Sequence, residues 1–355
     1  MVRVGYVPYS QDLQHPADRR RVATWATDKK IHLNITNPLD SDVLVLSNAA
    51  NFGYWLKRAK QPVILDLVDG YLGENPSFLR DLLRNIVRTI RGTSNLYWIT
   101  YTRHLRNASK LAQAVIVASP EQERLLKPFN KNVHVILDDH SEIETAKLLA
   151  VNQKLSMVNP TDTPHIFWEG FGFTLKHFRF ISKELDSFLN ATGRGMYLVT
   201  VKDFPRWGGY IGKVQTAKLI KKFFPLSWES IEIIPWSLEN LAIYAEKSEF
   251  GIIPIDPADS FARLKSENKL LSMWHLGLPV IFSDTPSYVR VATAANVESS
   301  IVKSDSWRDS LKWIASASSE RALMKHAGTA YVHSVHTRET LVAKWDAVLL
   351  AGKSL

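Results

Sequence analysis

The sequence predicts an α/β protein with two parallel sheets. Short runs of β-branched and aliphatic residues alternate with segments of helical periodicity, a pattern typical of strands joined by crossover helices. The alternation occurs twice along 355 residues, and this length is sufficient for two domains. Hydrophobic residues make up 45% of the chain and charged residues 22%, which is typical of a folded globular protein.

The first series of predicted strands lies in the N-terminal half. Its members are residues 2–7, 43–46, 63–67, 114–118 and 133–137. The pattern weakens after residue 137, and the polar segment 159–164 contains two prolines, which favour a linker. We therefore predict a first α/β domain over residues 1–160.

The second series of predicted strands follows this linker. Its members are residues 165–168, 196–201, 231–234, 250–255 and 279–282. They predict a second α/β domain over residues 161–330, followed by a helical segment over residues 331–355 that packs back across a domain face. Because ligands of open parallel sheets bind beyond the carboxyl ends of strands, we expect the binding site in a crevice between the domains. The loops expected there are 169–174, 202–209, 235–237 and 256–266.

The composition excludes several kinds of site. The chain has no cysteine, which rules out disulfides, thiolate metal sites and a cysteine nucleophile. No pair of histidines has metal-ligand spacing beside a carboxylate, and neither a Gly-x-Ser-x-Gly motif nor a Walker loop occurs. We therefore predict a protein that needs no metal and no cofactor, and neither a hydrolase nor a phosphate-loop ATPase is favoured.

Charge and hydropathy limit the partners and the location. The net charge of +9 predicts anionic partners, which include nucleotides, nucleic acid and anionic lipid headgroups. A predicted strand follows Met1 directly, so we expect no signal peptide. Every apolar run is shorter than the roughly 20 residues that a membrane-spanning helix needs. The sequence therefore predicts a cytoplasmic protein that is soluble or peripheral on a membrane.

The stretch 250–284 has the pattern of strand, loop, helix and strand, and its helix begins with a cationic turn. Ser266 is expected to cap this helix through its hydroxyl, with Lys265 and Lys269 close by. Lysines at the positive end of a helix dipole are unfavourable by roughly 0.3 to 1 kcal/mol each. A bound diphosphate would offset this cost, because the free N–H groups at the start of a helix bind anions. We therefore predict a phosphate-binding helix. Its buried stripe is expected from Leu270, Leu271, Met273 and Trp274, and its end from Gly277 and Pro279.

Several segments resemble the retaining GT-B glycosyltransferases of the group 1, or family 4-like, type. Residues 268–280 resemble their donor-binding helix, 250–256 resemble the strand before the donor loop, and 234–236 resemble their nucleobase loop. In the N-terminal half, 114–119 and 133–136 match the closing strands of their acceptor domain. The resemblance implies two Rossmann-like domains that face each other across a cleft, the first binding an acceptor and the second a nucleotide-sugar donor. It also implies that a hexose-type sugar passes, with retention, to a hydroxyl of a glycan or a lipid-linked acceptor.

The chain departs from that family at one pair of positions. Many members carry two glutamates separated by seven residues, and Leu264 and Ser272 stand at the corresponding positions. A subset of members instead has a polar cluster that Lys265, Asn268 and Lys269 match. Two alternatives therefore stay open, namely a non-catalytic protein that binds nucleotide or glycan and a nucleotide-sugar epimerase.

Two cations of the second domain are candidates for catalysis. Lys202 and Lys269 are expected to stabilise the negative charge that grows on a departing diphosphate. Arg206 follows the same strand as Lys202 and is expected to bind the phosphates. Lys176 and Arg179 could take this part instead, and any of these cations could also be an exposed surface charge.

The donor site is expected to include three further residues. Gly170 lies in a Gly-x-Gly turn, where a glycine allows the backbone to approach a ligand or makes a tight turn. Pro235 and Trp236 follow a strand, and an indole ring there could stack on a nucleobase or belong to the core.

Candidates for acceptor binding lie in the first domain. Asp69 follows the strand 63–67 and could accept the proton of the acceptor hydroxyl, or it could cap the loop before Gly70. His15 and Arg19 follow the first strand, where an arginine could hold an acidic acceptor or lie on the first turns of a helix.

A basic amphipathic helix is predicted between residues 79 and 91. Arg80, Arg84, Arg88 and Arg91 lie close to one face of this helix, beside an apolar surface. Such a helix could rest on an anionic membrane, or it could be a core helix with a solvated basic face. Aliphatic residues interrupt the arginines, which disfavours nucleic acid as the partner.

Overall fold

Residues 2–73, 76–154, 164–205 and 212–350 are described by the computed structural model, and the chain divides into two units. Unit 1 is drawn from Met1–Asp139, Ser260–Ser266 and His336–Leu355, and unit 2 from His140–Asp259 and Glu267–Val335. The domain boundary predicted at residue 160 lies outside the described residues.

The strands alternate with helices along the chain. In chain order the strands are β1 Val4–Val7, β2 Leu33–Asn34, β3 Val43–Ser47, β4 Val63–Leu67, β5 Ala114–Val117, β6 Val133–Val135, β7 His165–Glu169, β8 Gly195–Thr200, β9 Asp203–Pro205, β10 Lys213–Gln215, β11 Ile231–Pro235, β12 Ser248–Ile253, β13 Val280–Ser283 and β14 Ile301–Val302. The ten strands predicted from the sequence are all present, within two residues at each end.

The helices follow the same numbering. They are α1 Pro16–Arg19, α2 Val22–Asp28, α3 Phe52–Arg58, α4 Phe78–Ile90, α5 Tyr101–Leu111, α6 Pro120–Leu126, α7 Ser141–Lys154, α8 Ser182–Thr192, α9 Thr216–Phe223, α10 Leu238–Glu246, α11 Ser260–Arg263, α12 Asn268–His275, α13 Pro286–Ala294, α14 Trp307–Ser316, α15 Ser318–Ser334 and α16 Arg338–Leu349. Short 3₁₀ helices include Leu96–Trp98 and Gly172–Phe180.

Unit 1 contains one six-stranded sheet in the order β2-β1-β3-β4-β5-β6, with every pair parallel. Strands β3, β4 and β5 are buried along their whole length, which explains why they read as continuous apolar runs. The direction of winding reverses between β1 and β3, so the loops that follow these two strands border the usual ligand position of such a sheet.

Unit 2 contains a second six-stranded parallel sheet in the order β11-β8-β7-β12-β13-β14. Counted from β7 within this sheet, the order is the 3-2-1-4-5-6 of the dinucleotide-binding Rossmann fold. The winding reverses between β7 and β12, which places the switch point of unit 2 at the loops after these two strands. A separate antiparallel pair, β9 and β10, follows β8.

The predicted helical tail is confirmed as two helices that belong to different units. Helix α15 lies in unit 2, whereas α16 lies in unit 1. Leu341, Trp345 and Leu349 of α16 are buried in the same core as Trp25 of α2. The last helix therefore completes the hydrophobic core of the N-terminal sheet.

Candidate functional site

The ammonium group of Lys269 lies at the switch point of unit 2. Lys269 is in the first turn of α12, and its Nζ donates a hydrogen bond of 2.7 Å to the carbonyl oxygen of Glu169, the last residue of β7. The same Nζ lies 4.7 Å from the centre of the Trp168 ring. The cation predicted at the start of this helix is therefore held at the carboxyl end of the central strand.

A glycine makes room for this cation. Gly170 has a φ of +157°, and a Cβ atom at this position would lie 2.6 Å from Nζ of Lys269 and 2.8 Å from Oγ1 of Thr174. Thr200 Oγ1 donates a 2.6 Å hydrogen bond to the carbonyl oxygen of Gly170, which joins the ends of β7 and β8. Close packing around the ammonium group therefore favours a glycine at position 170.

The start of α12 differs from the prediction for Ser266. The helix begins at Asn268, its N-cap residue is Glu267, and no side chain caps it. The buried carboxylate of Glu267 instead accepts hydrogen bonds of 3.0 and 3.1 Å from the two Nη atoms of Arg290. Ser266 belongs to the segment Ser260–Ser266 of unit 1 and precedes the helix by two positions. The Ser266 cap was therefore wrong, because a buried ion pair fixes Glu267 at the position where the helix begins.

The body and the end of α12 agree with the prediction. Leu270, Leu271, Met273 and Trp274 are buried. After the helix, Gly277 has a φ of +77° and donates to Trp274 O, and the next N–H donates to Met273 O. This is the Schellman arrangement, in which a left-handed glycine satisfies the last carbonyl groups of a helix.

The loops after β8 and β11 hold three other predicted donor residues. Lys202 follows β8, and its side chain is exposed. Pro235 ends β11, and the next residue, Trp236, is 36% exposed while its N–H donates to Thr200 O at 3.0 Å. All three therefore lie at the same edge of the sheet as Gly170. Arg206 lies outside the described residues.

Two contacts beside this edge were not predicted, one made by His177 and the other by Lys176. Nδ1 of His177 accepts a 3.2 Å hydrogen bond from the N–H of Asp256, just beyond β12. Burial lowers the pKa of His177 to about 4, so its ring is neutral near pH 7. Lys176, the alternative cation, forms a 2.5 Å ion pair with Asp259. His177 is a single histidine in an aromatic segment, and nothing in the sequence around it indicates its contact with Asp256.

In unit 1, Asp69 lies beyond the carboxyl end of β4 and has a cationic partner. Its Oδ1 is 3.2 Å from Nζ of Lys265, which also lies 4.8 Å from the centre of the Phe261 ring. The carboxylate raises the pKa values of the Tyr9 and Tyr71 phenols, in each case as the second cause after burial. Asp69 therefore stands in a cluster of tyrosines at the carboxyl edge of the sheet.

Leu264 and Ser272, at the positions where the resemblance would place two glutamates, form hydrogen-bonding contacts of other kinds. The carbonyl oxygen of Leu264 accepts hydrogen bonds from Ser119 Oγ and Gln122 Nε2 at 3.3 and 3.2 Å, within unit 1. In unit 2, Oγ of Ser272 lies 3.3 Å from Nδ1 of His140. Neither side chain supplies a carboxylate.

His15 and Arg19 lie in the loop and first helix after β1. The His15 ring stacks on Tyr9 with centroids 4.6 Å apart, and its Nδ1 accepts from the N–H of Ala17. Arg19 is half-buried, and its Nε donates to Gln14 O at 3.2 Å. The Tyr9 hydroxyl is buried and has no hydrogen-bond partner among the described residues, which makes it a polar group that the sequence did not single out.

The arginines of α4 do not share one solvent-exposed face. Arg84 lies over the Tyr71 ring at 5.2 Å and Arg88 lies over the Tyr101 ring at 4.3 Å, while Arg80 is exposed. Nη2 of Arg88 also donates to Asn48 O. Tyrosines of unit 1 therefore draw the guanidinium groups of Arg84 and Arg88 inward, and the possible membrane contact through Arg80, Arg84 and Arg88 stays a prediction.

None of the helices in the described part of the chain is long and apolar enough to cross a membrane. Nor do three or more histidine and carboxylate side chains within it gather in a way that could hold a metal ion.

Comparisons with known proteins agree with this architecture. No protein-family model and no curated protein matches the sequence. Among solved structures, WaaG, a glycosyltransferase involved in lipopolysaccharide biosynthesis, matches with a TM-score of 0.57 and 11% identity over 98% of both chains. A glycosyltransferase from Rickettsia africae matches with a TM-score of 0.56 and 11% identity over 98% of this chain and 84% of the other.

A third neighbour was determined with a bound UDP sugar. It is the E. coli protein described as trehalose-6-phosphate bound with UDP-2-fluoro glucose, with a TM-score of 0.55 and 10% identity over 92% of this chain and 76% of the other. Identities near 10% carry evidence for the fold alone. The protein therefore has the GT-B fold, with two Rossmann-like units, that these glycosyltransferases share.

Proposed function

We propose that the protein is a glycosyltransferase that moves a hexose-type sugar from a nucleoside diphosphate to an acceptor hydroxyl, with retention of the anomeric configuration. The observation that carries the proposal is the ammonium group of Lys269 at the switch point of unit 2, packed against the glycine turn after β7. The fold shared with glycosyltransferases supports the same class of reaction. The acceptor is proposed to be a glycan or a lipid-linked sugar, and the location cytoplasmic.

The donor diphosphate is proposed to bind at the start of α12. When the bond between the sugar carbon C1 and the diphosphate oxygen breaks, negative charge grows on that oxygen. Lys269, the amide of Asn268 and the N–H groups at the start of the helix are proposed to stabilise this charge. Lys202, beyond β8, is the second cation of the proposal. Because these groups neutralise the leaving group, the proposed reaction needs no metal.

The rest of the donor is proposed to lie along the same edge of the sheet. Gly170 allows the backbone after β7 to approach the phosphates. Trp236, with about a third of its surface exposed at the end of β11, offers a ring on which a nucleobase can stack, with Pro235 beside it.

The acceptor is proposed to bind in unit 1 at the carboxyl end of β4. The Asp69 carboxylate would orient the acceptor hydroxyl and accept its proton as the new bond to C1 forms. Lys265 fixes the position of this carboxylate at 3.2 Å. His15 and Arg19 are the other proposed acceptor contacts. The Tyr9 hydroxyl beside His15, which has no hydrogen-bond partner within the described ranges, adds a hydrogen-bonding group.

Calorimetric titration tests donor binding directly. UDP is the first probe, because one structural neighbour holds a UDP sugar, and GDP, ADP and dTDP follow. Lys269→Ala is expected to weaken binding at least about tenfold, since a hydrogen bond between two charged groups contributes roughly 1.5 to 3 kcal/mol. Lys312→Ala, an exposed lysine of α14 in the same unit, is the matched control. If no nucleoside diphosphate binds, or if both variants bind equally, the proposal is wrong.

A non-catalytic binding protein is the second candidate, and one observation favours it. Leu264 and Ser272 leave the donor site without the two carboxylates that many similar enzymes carry, and the Leu264 carbonyl is bonded to unit 1 instead. Incubation of UDP sugars with and without glycan acceptors separates the candidates. Sugar transfer with an unchanged anomer supports the transferase. Conversion of the donor without acceptor indicates an epimerase, and binding without any conversion indicates the non-catalytic protein.

A further inference from the structure

A groove on the surface of unit 2 is lined mainly by lysines. It is formed by the β9–β10 pair and helix α9, and its volume is about 550 Å³. This volume is typical of ligand pockets, which hold roughly 300 to 1,000 Å³. The lining residues include Lys213, Lys218, Lys222, Asp203, Gln215 and Leu219. We call this site the lysine groove.

The protein does not balance the positive charge of the groove. Lys213, Lys218 and Lys222 are exposed, and no carboxylate that the structure describes lies within ion-pairing distance of them. Lys218 and Lys222 are four residues apart on α9, where two like charges on the same face of a helix repel each other. The neighbouring Lys221 has a partner of another kind, because its Nζ lies 4.4 Å from the centre of the Trp228 ring. An anion in the groove would remove the repulsion between Lys218 and Lys222.

Buried contacts fix the elements that carry these lysines. Thr216, the first residue of α9, is buried, its Oγ1 donates to Val201 O at 2.7 Å and its N–H donates to Lys202 O at 2.9 Å. On β9, Phe204 packs closely against the turn after β7, since a Cβ atom on Gly172 would collide with the Phe204 ring. The lysine groove is therefore built on the end of β8.

The groove is separate from the side chains of the proposed donor site. Strand β9 begins three residues after Thr200, whose carbonyl oxygen accepts the hydrogen bond from Trp236 N–H. The groove therefore lies on the side of unit 2 where β8 ends, but neither Lys202, Lys269 nor Trp236 lines it. Substitution of its lysines consequently leaves the proposed nucleotide contacts in place.

We propose that the lysine groove binds a linear acidic glycan, that is, a chain of sugars that carry carboxylate groups. Lysines bear compact charges with rotatable donors, and Lys218 and Lys222 are about 6 Å apart along the helix axis, which suits carboxylates that recur along a chain. Gln215 offers an amide to sugar hydroxyls, and Leu219 offers an apolar side chain to the C–H face of a ring. The choice of a glycan rests on the proposed glycosyltransferase function, whereas the anion site rests on the lysines alone.

Nucleic acid is the other linear polyanion that three lysines could attract. Proteins that bind single strands stack the bases on aromatic side chains. None of the described residues that line the groove is aromatic. The lining therefore favours an acidic glycan, and nucleic acid becomes one outcome of the test.

Calorimetric titration of the full chain tests the proposal. The probe is hexagalacturonate, which has a carboxylate on every sugar, and maltohexaose is the uncharged comparison. The protein is expected to bind hexagalacturonate but not maltohexaose, and to bind it more weakly as salt screens the charges. Lys213→Gln/Lys218→Gln/Lys222→Gln is expected to weaken binding roughly tenfold, because each exposed ion pair contributes a factor of about 1.5 to 5.

A matched variant separates the groove from net charge. Lys303→Gln/Lys312→Gln/Lys325→Gln makes the same change at three exposed lysines of unit 2 outside the groove. A loss in the groove variant only, with unchanged thermal unfolding, supports the proposal. Equal losses in the two variants would overturn it, as would equal affinity for maltohexaose or failure of the unmodified protein to bind hexagalacturonate.

Two further titrations identify the occupant and separate this proposal from the proposed function. Hexathymidylate that binds more tightly than hexagalacturonate, and is lost in the groove variant, would assign the groove to nucleic acid and overturn the glycan. UDP is expected to bind the groove variant and the unmodified protein equally. If UDP binds neither while hexagalacturonate still distinguishes the two variants, the donor site proposed at Lys269 is wrong and the lysine groove stands.

Discussion

Arg21 forms a buried ion pair in unit 1. Its guanidinium group is fully buried, with Nη2 2.6 Å from Asp66 and Nη1 3.0 Å from Asp138 and 2.8 Å from Ile136 O. Arg21→Met is expected to lower the free energy of unfolding by about 3 to 5 kcal/mol, because it leaves the Asp66 carboxylate buried without its cation. Urea unfolding monitored by tryptophan fluorescence measures this loss.

A surface arginine supplies the control for this prediction. Arg3 pairs with Asp40 and Asp42, all three being exposed, so Arg3→Met is expected to cost much less. Equal losses from the two substitutions would contradict the assignment of Arg21 as the buried partner of Asp66. The sequence showed three adjacent arginines, Arg19 to Arg21, but could not distinguish the buried one, because Asp66 lies 45 positions away along the chain.

His104 gives unit 1 a sensitivity to acid. Its ring lies 5.5 Å from Phe52 and 5.0 Å from Trp98, and both of its nitrogens are buried without a partner among the described residues. Burial, together with Arg88, lowers the pKa of His104 to about 4. The unfolded chain binds a proton near pH 6.5 and the folded chain only near pH 4, so stability falls as the pH drops through this window.

His104→Phe is therefore expected to stabilise the protein. Removing two unsatisfied buried nitrogens is expected to raise the free energy of unfolding by about 1 to 3 kcal/mol. The decline between pH 6.5 and 4 is also expected to become shallower, which denaturant titrations at several pH values measure. His32→Phe, at an exposed histidine, is the matched control. A steeper decline in His104→Phe would show that the ring is charged in the folded protein.

At the scale of elements, the turn after β7 determines where the Lys269 ammonium group lies. Gly170→Ala is expected to displace Nζ of Lys269, since the added Cβ would lie 2.6 Å from it, and to weaken UDP binding about as much as Lys269→Ala. Gly193→Ala is the matched control, because Gly193 also has a positive φ, of +65°, but no atom lies within 4 Å of the position of its Cβ. Both substitutions are expected to cost about 1 to 3 kcal/mol of stability from backbone strain. Calorimetric titration with UDP measures the affinity of both variants. Unimpaired UDP binding by Gly170→Ala would show that this turn does not determine the position of the Lys269 ammonium group.

The strands of both sheets could be predicted from the sequence, because strands buried on both faces appear as continuous apolar runs. The strand Val63–Leu67 is predicted to the residue. The two-residue strands β2 and β14 and the antiparallel pair of β9 and β10 were missed, because segments of two or three residues are too short to show a periodicity. The start of α12 was misplaced for another reason: Ser266 is a good local cap, but the bond between Glu267 and Arg290 links residues 23 positions apart.

The site could be predicted only in part, because several of its contacts join residues that lie far apart in the sequence. Spacing and residue type pointed to Lys269 and Gly170, and the structure brings the two together. The inward turn of Arg84 and Arg88 depends on Tyr71 and Tyr101 from other elements, and no local pattern contains that information. Periodicity also indicated an apolar surface on α4 but left open whether it faces the core or a membrane, whereas the buried contacts of Asp81 and Asn85 turn this surface outward.

For the whole molecule, α16 makes unit 1 depend on the far end of the chain. Trp345 is 2% exposed and lies beside the buried Arg21, whose guanidinium carbon is 5.7 Å from the ring centre. The neighbouring Asp346 accepts a 2.8 Å hydrogen bond from Nε1 of Trp25 and forms a 2.6 Å ion pair with Lys29. The helix that follows all of unit 2 in sequence therefore stabilises the N-terminal core.

Trp345→Ala is expected to destabilise unit 1 selectively. Truncation of a buried tryptophan costs about 3 to 5 kcal/mol, because it removes apolar contact and leaves a cavity. Differential scanning calorimetry of the full chain is expected to show the unfolding of unit 1 at a lower temperature, with the transition of unit 2 close to its original position. Trp228→Ala in unit 2, where the ring is 37% exposed, is the control and is expected to change little. A single transition that shifts as a whole would show instead that the two units unfold together, and an unshifted profile would mean that α16 contributes little to the core. Only the unshifted profile would remove the reason for treating the last helix as part of the N-terminal unit.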